Sequence, residues 1–154
     1  MSHVTTFFEV FDPRGRCNRK GFLVLAFAML GAQLAVIGAF LAMDEQSEGW
    51  AVGLANAFFF WLVTSSISKR LHDIGLSGWW IVKAALIILV WATLFIAGLM
   101  CVLPDGAFEP GEAGFWLGVG GTTVPVFLAI LWLHCAHGVM GDNIYGPEPK
   151  GLGF

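Results

Sequence analysis

Four long apolar runs restrict what this chain can fold into more than any other feature. They extend over residues 21–43, 49–68, 79–103 and 114–137. A helix of about 20 apolar residues crosses the roughly 30 Å hydrocarbon core of a bilayer. Only 12% of the residues are charged, against about 25% in a typical soluble domain. The sequence therefore predicts an all-α integral membrane protein in which four transmembrane helices form one bundle.

The charged residues predict how those helices are oriented. The basic residues all lie in or beside alternate gaps between the runs: Arg14, Arg16, Arg19, Lys20, Lys69, Arg70, Lys83 and Lys150. In the other gaps every charged residue is acidic: Asp44, Glu45, Glu48, Asp105, Glu109 and Glu112. Short loops rich in Lys and Arg stay on the cytoplasmic side. We therefore expect a single membrane domain, residues 1–154, with residues 1–20 and 138–154 in the cytoplasm.

The polar residues argue against two common classes of protein. The basic residues are few and lie next to the bilayer, so nucleic-acid binding is not expected. Cys17 is on the predicted cytoplasmic side, where thiols stay reduced. Cys101 and Cys135 lie near opposite ends of different runs, too far apart for a disulfide. The sequence therefore predicts no disulfide framework.

Three polar segments share the predicted cytoplasmic face. They are residues 15–20, residues 70–75 and residues 141–149. In a small helix bundle, the loops on one face are neighbours, so these segments can meet.

The same segments carry a family resemblance. Gly15 and Arg16 are followed by Arg19 and Phe22, and later come the runs Arg70-Leu71-His72-Asp73-Ile74-Gly75, Ser77-Gly78-Trp79-Trp80 and Asn143-Ile144-Tyr145-Gly146-Pro147-Glu148-Pro149. In this order they resemble the bacterial membrane-protein family known as domain of unknown function 805, over roughly residues 8–150. The resemblance implies a small inner-membrane protein and supplies no established activity.

The polar face contains a candidate binding or structural cluster, made of Arg16, Arg19, Arg70, His72, Asp73, Asn143 and Tyr145. In the structural interpretation, Asp73 pairs with an arginine and ties the segments together. In the binding interpretation, the arginines hold an anionic lipid headgroup or a partner protein. A catalytic interpretation would use His72 beside Asp73 as a general base.

Other residues are candidates for positioning the helices. Trp79 and Trp80 start the third run, where paired tryptophans are typical anchors at the level of the lipid headgroups. Gly114 and Gly118 have the GxxxG spacing of close helix packing, within the chain or in a homo-oligomer. His134 and His137 share a helix face that could supply metal ligands. We nevertheless expect neither a metal nor a cofactor.

These patterns favour a small multi-pass protein of the bacterial inner membrane that is not an enzyme. Its cytoplasmic polar face would bind a partner protein or an anionic lipid headgroup. A small carrier or channel subunit, assembled as a homo-oligomer through Gly114 and Gly118, is the alternative. A third interpretation is an enzyme acting on a lipid phosphate through His72 and Asp73.

Overall fold

Four helices account for most of the structure, a computed structural model that describes residues 10–42, 49–104 and 106–151. They are α1 (Arg19–Ala42), α2 (Gly49–Asp73), α3 (Trp80–Val102) and α4 (Ala113–Cys135). Each is long and apolar enough to cross a membrane. Across the described ranges the structure has no strand, only a single antiparallel bridge between Asn143 and Gly146. The prediction of an all-helical chain with four potential spans is confirmed.

The helix boundaries differ from the predicted runs most clearly at the end of α2. The second run was expected to end at residue 68, with a loop from Lys69 onward. Instead α2 continues through Asp73, so this expectation was wrong. Hydropathy finds where apolar residues stop, but a helix can continue with polar residues whose side chains have partners. The polar motif at residues 70–73 is therefore the last turn of a helix.

The start of α1 is set by an asparagine cap. The side-chain oxygen Oδ1 of Asn18 accepts a hydrogen bond from the backbone N–H of Gly21 at 2.8 Å. This contact satisfies one of the backbone donors that every helix start leaves without an intrahelical partner. It places the basic pair Arg19 and Lys20 in the first turn of α1.

The chain divides into two compact units. The first comprises the chain through Gly78 together with residues from Ala136 onward, and the second comprises Trp79–Cys135. The acidic loop at 44–48, Asp105 and the ends at 1–9 and 152–154 lie outside the described residues. The packing of all four helices in one bundle and the location of both termini stay predictions.

In the first unit, α1 packs against α2 near the start of α1 and the end of α2. Its buried apolar side chains are Phe22, Leu25, Met29, Leu62 and Leu71. Small residues of α2 are buried beside them, namely Ser65, Ser66 and Ser68. Nearer the other end of the pair, the Gln33 Nε2 donates to Asn56 Oδ1 at 3.2 Å. An amide pair of this kind satisfies polar groups that lipid cannot solvate.

In the second unit, glycines of α4 permit close packing against the loop that precedes α4 and against α3. A Cβ at Gly114 would lie only 2.5 Å from the backbone oxygen of Ala107, and one at Gly118 would lie 3.2 Å from Cδ1 of Ile96. The indole N–H of Trp91 donates to the backbone oxygen of Gly121 at 3.0 Å. The absence of side chains at these positions therefore permits the close packing.

Candidate functional site

The last turn of α2 brings a cation and an anion onto one helix face. Arg70 and Asp73 are three residues apart, which places their side chains next to each other on a helix. The Arg70 Nη1 lies 2.5 Å from Asp73 Oδ2. Both residues are buried, with Arg70 fully inaccessible and Asp73 only 3% exposed.

Arg16 completes this group from the segment that precedes α1. Its Nη2 and Nε donate to the other carboxylate oxygen, Asp73 Oδ1, at 3.0 and 3.2 Å. Beside it, the backbone N–H of Cys17 donates to the backbone oxygen of Lys69 at 3.1 Å. We call Arg16, Arg70 and Asp73 the ion cluster. It joins the segment before α1 to the end of α2.

The ion cluster also binds the backbone of the segment after α4. The Arg16 Nη2 donates to the oxygen of Val139 at 2.5 Å, and its Nη1 donates to the oxygens of Gly141 at 2.5 Å and Gly146 at 3.5 Å. With its two contacts to Asp73, Arg16 makes five hydrogen bonds, and a guanidinium has five N–H donors. Arg16 therefore has no donor left for a ligand.

Arg70 is used in a similar way. Besides Asp73, its guanidinium donates to the backbone oxygen of Cys17 at 3.4 Å and to that of Ala136. Two guanidinium groups share a single carboxylate, so the ion cluster carries a net positive charge. A positive charge shielded from water favours an anion close by.

A glycine lets the segment after α4 reach the cluster. The backbone oxygen of Asp73 accepts a hydrogen bond from the N–H of Val139 at 2.8 Å. A Cβ on the preceding residue, Gly138, would collide with the Asp73 carboxylate. The sequence analysis did not single out Gly138. The one sequence feature that could have pointed to Gly138 is its place directly after an apolar run, and a glycine there is common at helix ends.

His72, Asn143 and Tyr145 meet beside the ion cluster. The His72 and Tyr145 rings are stacked, with centroids 4.0 Å apart and an angle of 3° between the planes. The Asn143 Nδ2 donates to the backbone oxygen of His72 at 3.0 Å, and the His72 Nδ1 lies 3.0 Å from the backbone oxygen of Gly15. Asn143 Oδ1 accepts from the Tyr145 N–H at 2.9 Å, which closes a tight turn. This group fixes the tail against α2.

A cavity of about 220 Å³ lies next to the ion cluster. Its wall includes Arg16 and Arg70, and also Arg19, His137 and Glu148, which are exposed. Across the described residues no ion pair involves Arg19, because both ion pairs are those of Asp73. Of the sequence-predicted arginines, Arg19 is therefore the one whose guanidinium is available to a ligand.

Cys17 lies directly beside the ion cluster without taking part in it. Its thiol is fully buried, and this burial raises the pKa of Cys17 to about 12, outweighing the opposite effect of Lys69 and Arg70. The neutral thiol therefore persists at physiological pH, and Cys17 is a small buried packing residue.

The remaining candidates lie elsewhere. Trp79 and Trp80 are exposed at the start of α3, and the Lys83 Nζ lies 4.9 Å from the centre of the Trp80 ring. Gly114 and Gly118 are buried in the second unit. His134 is in the last turn of α4, whereas His137 lies beyond the end of that helix and lines the cavity of the first unit, so the expectation that they share a helix face was wrong. Within the described part of the chain, no three His, Cys, Asp or Glu residues are grouped to hold a metal ion.

Comparison with known proteins identifies the family. The sequence model described as "Protein of unknown function (DUF805)" matches residues 10–147. The chain belongs to this family. It is also 27% identical, over 151 residues, to "Uncharacterized protein YiiR" of Escherichia coli K12, covering 94% of this chain and 90% of that relative. YiiR of Escherichia coli O157:H7 matches equally well. No solved structure matches. The resemblance seen in the sequence is confirmed.

Proposed function

We propose that this DUF805 protein is a non-enzymatic, multi-pass protein of the bacterial inner membrane that binds the anionic phosphate of a lipid headgroup. The ligand would occupy the cavity beside Arg19, on the cytoplasmic face. In this proposal the ion cluster is structural, and Arg19 is the residue that contacts the ligand.

The distribution of charged residues supports placing the cavity on the cytoplasmic face. The segment before α1, the first turn of α1, the end of α2 and the segment after α4 together contain seven of the eight Lys and Arg residues, and the expected outer loops contain none. Reporter fusions after Phe154 and within residues 106–112 test it. A cytoplasmic reporter should be active at the first position only, and activity at the second position would reverse the orientation.

One observation carries the binding proposal: an exposed arginine lines a cavity next to a buried cluster of net positive charge. A guanidinium can bind two phosphate oxygens at once through parallel hydrogen bonds. Arg19 starts a helix that is apolar enough to cross the membrane, so the cavity would lie at headgroup depth. A lipid could then place its phosphate in the cavity while its acyl chains stay in the bilayer.

The catalytic alternative has little support from these contacts. Both oxygens of Asp73 accept hydrogen bonds from guanidinium groups, so neither is left to orient His72. One face of the His72 ring is covered by Tyr145, and its Nδ1 faces a backbone oxygen. The homo-oligomer alternative also has little support. Gly114 and Gly118 already pack against residues of their own chain, so they are not available to contact a second copy.

Native mass spectrometry of protein released from its own membrane tests the binding proposal. Arg19→Gln should lose a bound lipid mass that the wild type retains, and Arg19→Lys should retain part of it. Lys20→Gln is the matched control, because Lys20 is the adjacent exposed cation of α1 and does not line the cavity.

Two results would contradict the proposal. Equal lipid retention in wild type and Arg19→Gln would exclude Arg19 as the ligand contact. A bound mass that is a protein, lost in Arg19→Gln, would replace the lipid by a partner protein.

A further inference from the structure

The cavity wall carries one available charge of each sign. Arg19 and Glu148 both line it and both are exposed. They are not paired with each other, since within the described residues both ion pairs are made by Asp73. A cation and an anion that line one cavity without joining are complementary to a ligand that itself carries two opposite charges.

Glu148 is held in place by the backbone of the tail. Its Oε2 accepts a hydrogen bond from the N–H of Gly141 at 2.8 Å, and its own N–H donates to Asp142 Oδ1 at 3.1 Å. Among the described residues, no hydrogen bond reaches the other carboxylate oxygen, Oε1. Glu148 is therefore positioned by one oxygen and can accept a donor at the other.

From this arrangement we infer that the cavity selects a zwitterionic headgroup, in which a phosphate diester is linked to a primary ammonium, as in an aminophospholipid. This inference rests on the proposed function and names the class of lipid. The phosphate binds Arg19 and the ammonium donates to Glu148. A primary ammonium has N–H donors for a carboxylate, whereas a trimethylated ammonium has none.

The size of the cavity agrees with such a ligand. Its volume of about 220 Å³ is far more than one water molecule needs and is less than the roughly 300–1,000 Å³ of pockets for drug-sized molecules. A headgroup made of a phosphate, two carbons and a nitrogen is a small polar ligand of suitable size. The acyl chains would remain outside the cavity.

Lipid competition on the full chain tests the inference. The protein is placed in nanodiscs with equal amounts of phosphatidylethanolamine, phosphatidylglycerol and phosphatidylcholine, and the retained lipids are identified by native mass spectrometry. Wild type should retain phosphatidylethanolamine over each of the others by about tenfold, the effect of one charge-assisted hydrogen bond. Glu148→Gln should abolish this preference, because Gln can still accept from Gly141 but has lost the charge.

Asp142→Asn is the matched control. Asp142 is an exposed acid of the same tail that does not line the cavity, and Asn keeps the acceptor for the Glu148 N–H. It should leave the preference unchanged. If Glu148→Gln is unstable, displacement by soluble phosphoethanolamine and by glycerol phosphate is compared on wild type, and phosphoethanolamine should be the stronger competitor.

The outcomes separate this inference from the proposed function. If Arg19→Gln loses lipid but the wild type retains all three lipids equally, or if Glu148→Gln keeps the preference, the zwitterion inference fails and phosphate binding stands. If Arg19→Gln retains as much lipid as wild type, both fail.

Discussion

The two compact units are stabilised by different kinds of contact. In the first, α1 packs on α2 through apolar side chains, and at the end of α2 two buried guanidinium groups bind Asp73 and backbone oxygens of the segments before α1 and after α4. In the second, glycines of α4 permit close contacts, at Gly114 with the backbone of the preceding loop and at Gly118 with Ile96 of α3. The guanidinium groups fix irregular segments to a helix through hydrogen bonds to backbone oxygens, whereas these glycines only permit a close approach.

The comparison also explains where a ligand is expected. Packing at glycines leaves no polar group for recognition. The ion cluster, in contrast, leaves a net positive charge and a cavity at its border, with Arg19 on the wall. The charges that fix the tail of the first unit therefore border the cavity in which we propose that a phosphate binds.

The largest effect is expected from removing the shared carboxylate. Asp73→Ala leaves two buried guanidinium groups without their counter-ion and should destabilise the protein by about 3–5 kcal/mol. Equilibrium unfolding in detergent micelles measures this change. Asp142→Asn, which removes an exposed negative charge and keeps the acceptor for the Glu148 N–H, should change stability by less than about 0.5 kcal/mol. Similar losses of unfolding free energy in the two variants would show that the ion cluster contributes no more to stability than an exposed acidic residue does.

A smaller loss is expected in the second unit from adding one methyl group. Gly114→Ala forces a Cβ against the Ala107 carbonyl, and overpacking of this kind costs about 1–3 kcal/mol. Gly120 is the control in the same helix, because a Cβ there has no neighbour within 4 Å. The midpoint temperature of thermal unfolding should fall for Gly114→Ala and should stay constant or rise for Gly120→Ala. The reverse order would remove glycine packing as the basis of this unit.

The stacked rings of His72 and Tyr145 should contribute less to stability than the Asp73 carboxylate or the glycine at position 114. Tyr145→Leu loses the contact with His72 and should cost about 0.5–1.5 kcal/mol. Tyr145→Phe keeps a stacked ring and should be close to wild type in the same unfolding assay. If Phe and Leu are equally destabilising, the ring contact is not what fixes the tail.

The last prediction concerns the reactivity of the Cys17 thiol. This thiol should not react with alkylating reagents while the protein is folded. A variant with Cys101→Ala and Cys135→Ala leaves Cys17 alone. Between pH 7 and 10 its alkylation should stay slow in detergent and become fast on unfolding, because an exposed thiol ionises near pH 8.5 whereas the pKa of Cys17 is about 12. Stability should fall as pH rises between these two values. Rapid labelling of the folded protein at pH 8 would contradict the burial of Cys17.

Much of this structure could be predicted from the sequence, for physical reasons. Four apolar runs were enough to predict four helices, because length and hydropathy decide which segments can cross a bilayer. The pairing of Asp73 with an arginine was foreseen as one interpretation, and the structure uses both Arg16 and Arg70. Arg19, which the sequence grouped with them, stays exposed on the cavity wall.

Other features could not be foreseen. The continuation of α2 through Asp73 depends on partners distant in the chain, which hydropathy does not report. The role of Gly138 depends on which group lies within reach of a missing side chain. The availability of Glu148 depends on the fold of the tail. These features come from tertiary contacts, so they became visible only in three dimensions.

A double-mutant cycle of Arg16→Ala and Asp73→Ala, measured by equilibrium unfolding, tests the central claim most directly. If the ion cluster is one structural unit, the double variant should lose clearly less stability than the sum of the two single losses, because the two residues are in direct contact. If the two losses simply add, Arg16 and Asp73 stabilise the protein independently, and the ion cluster does not exist as a unit.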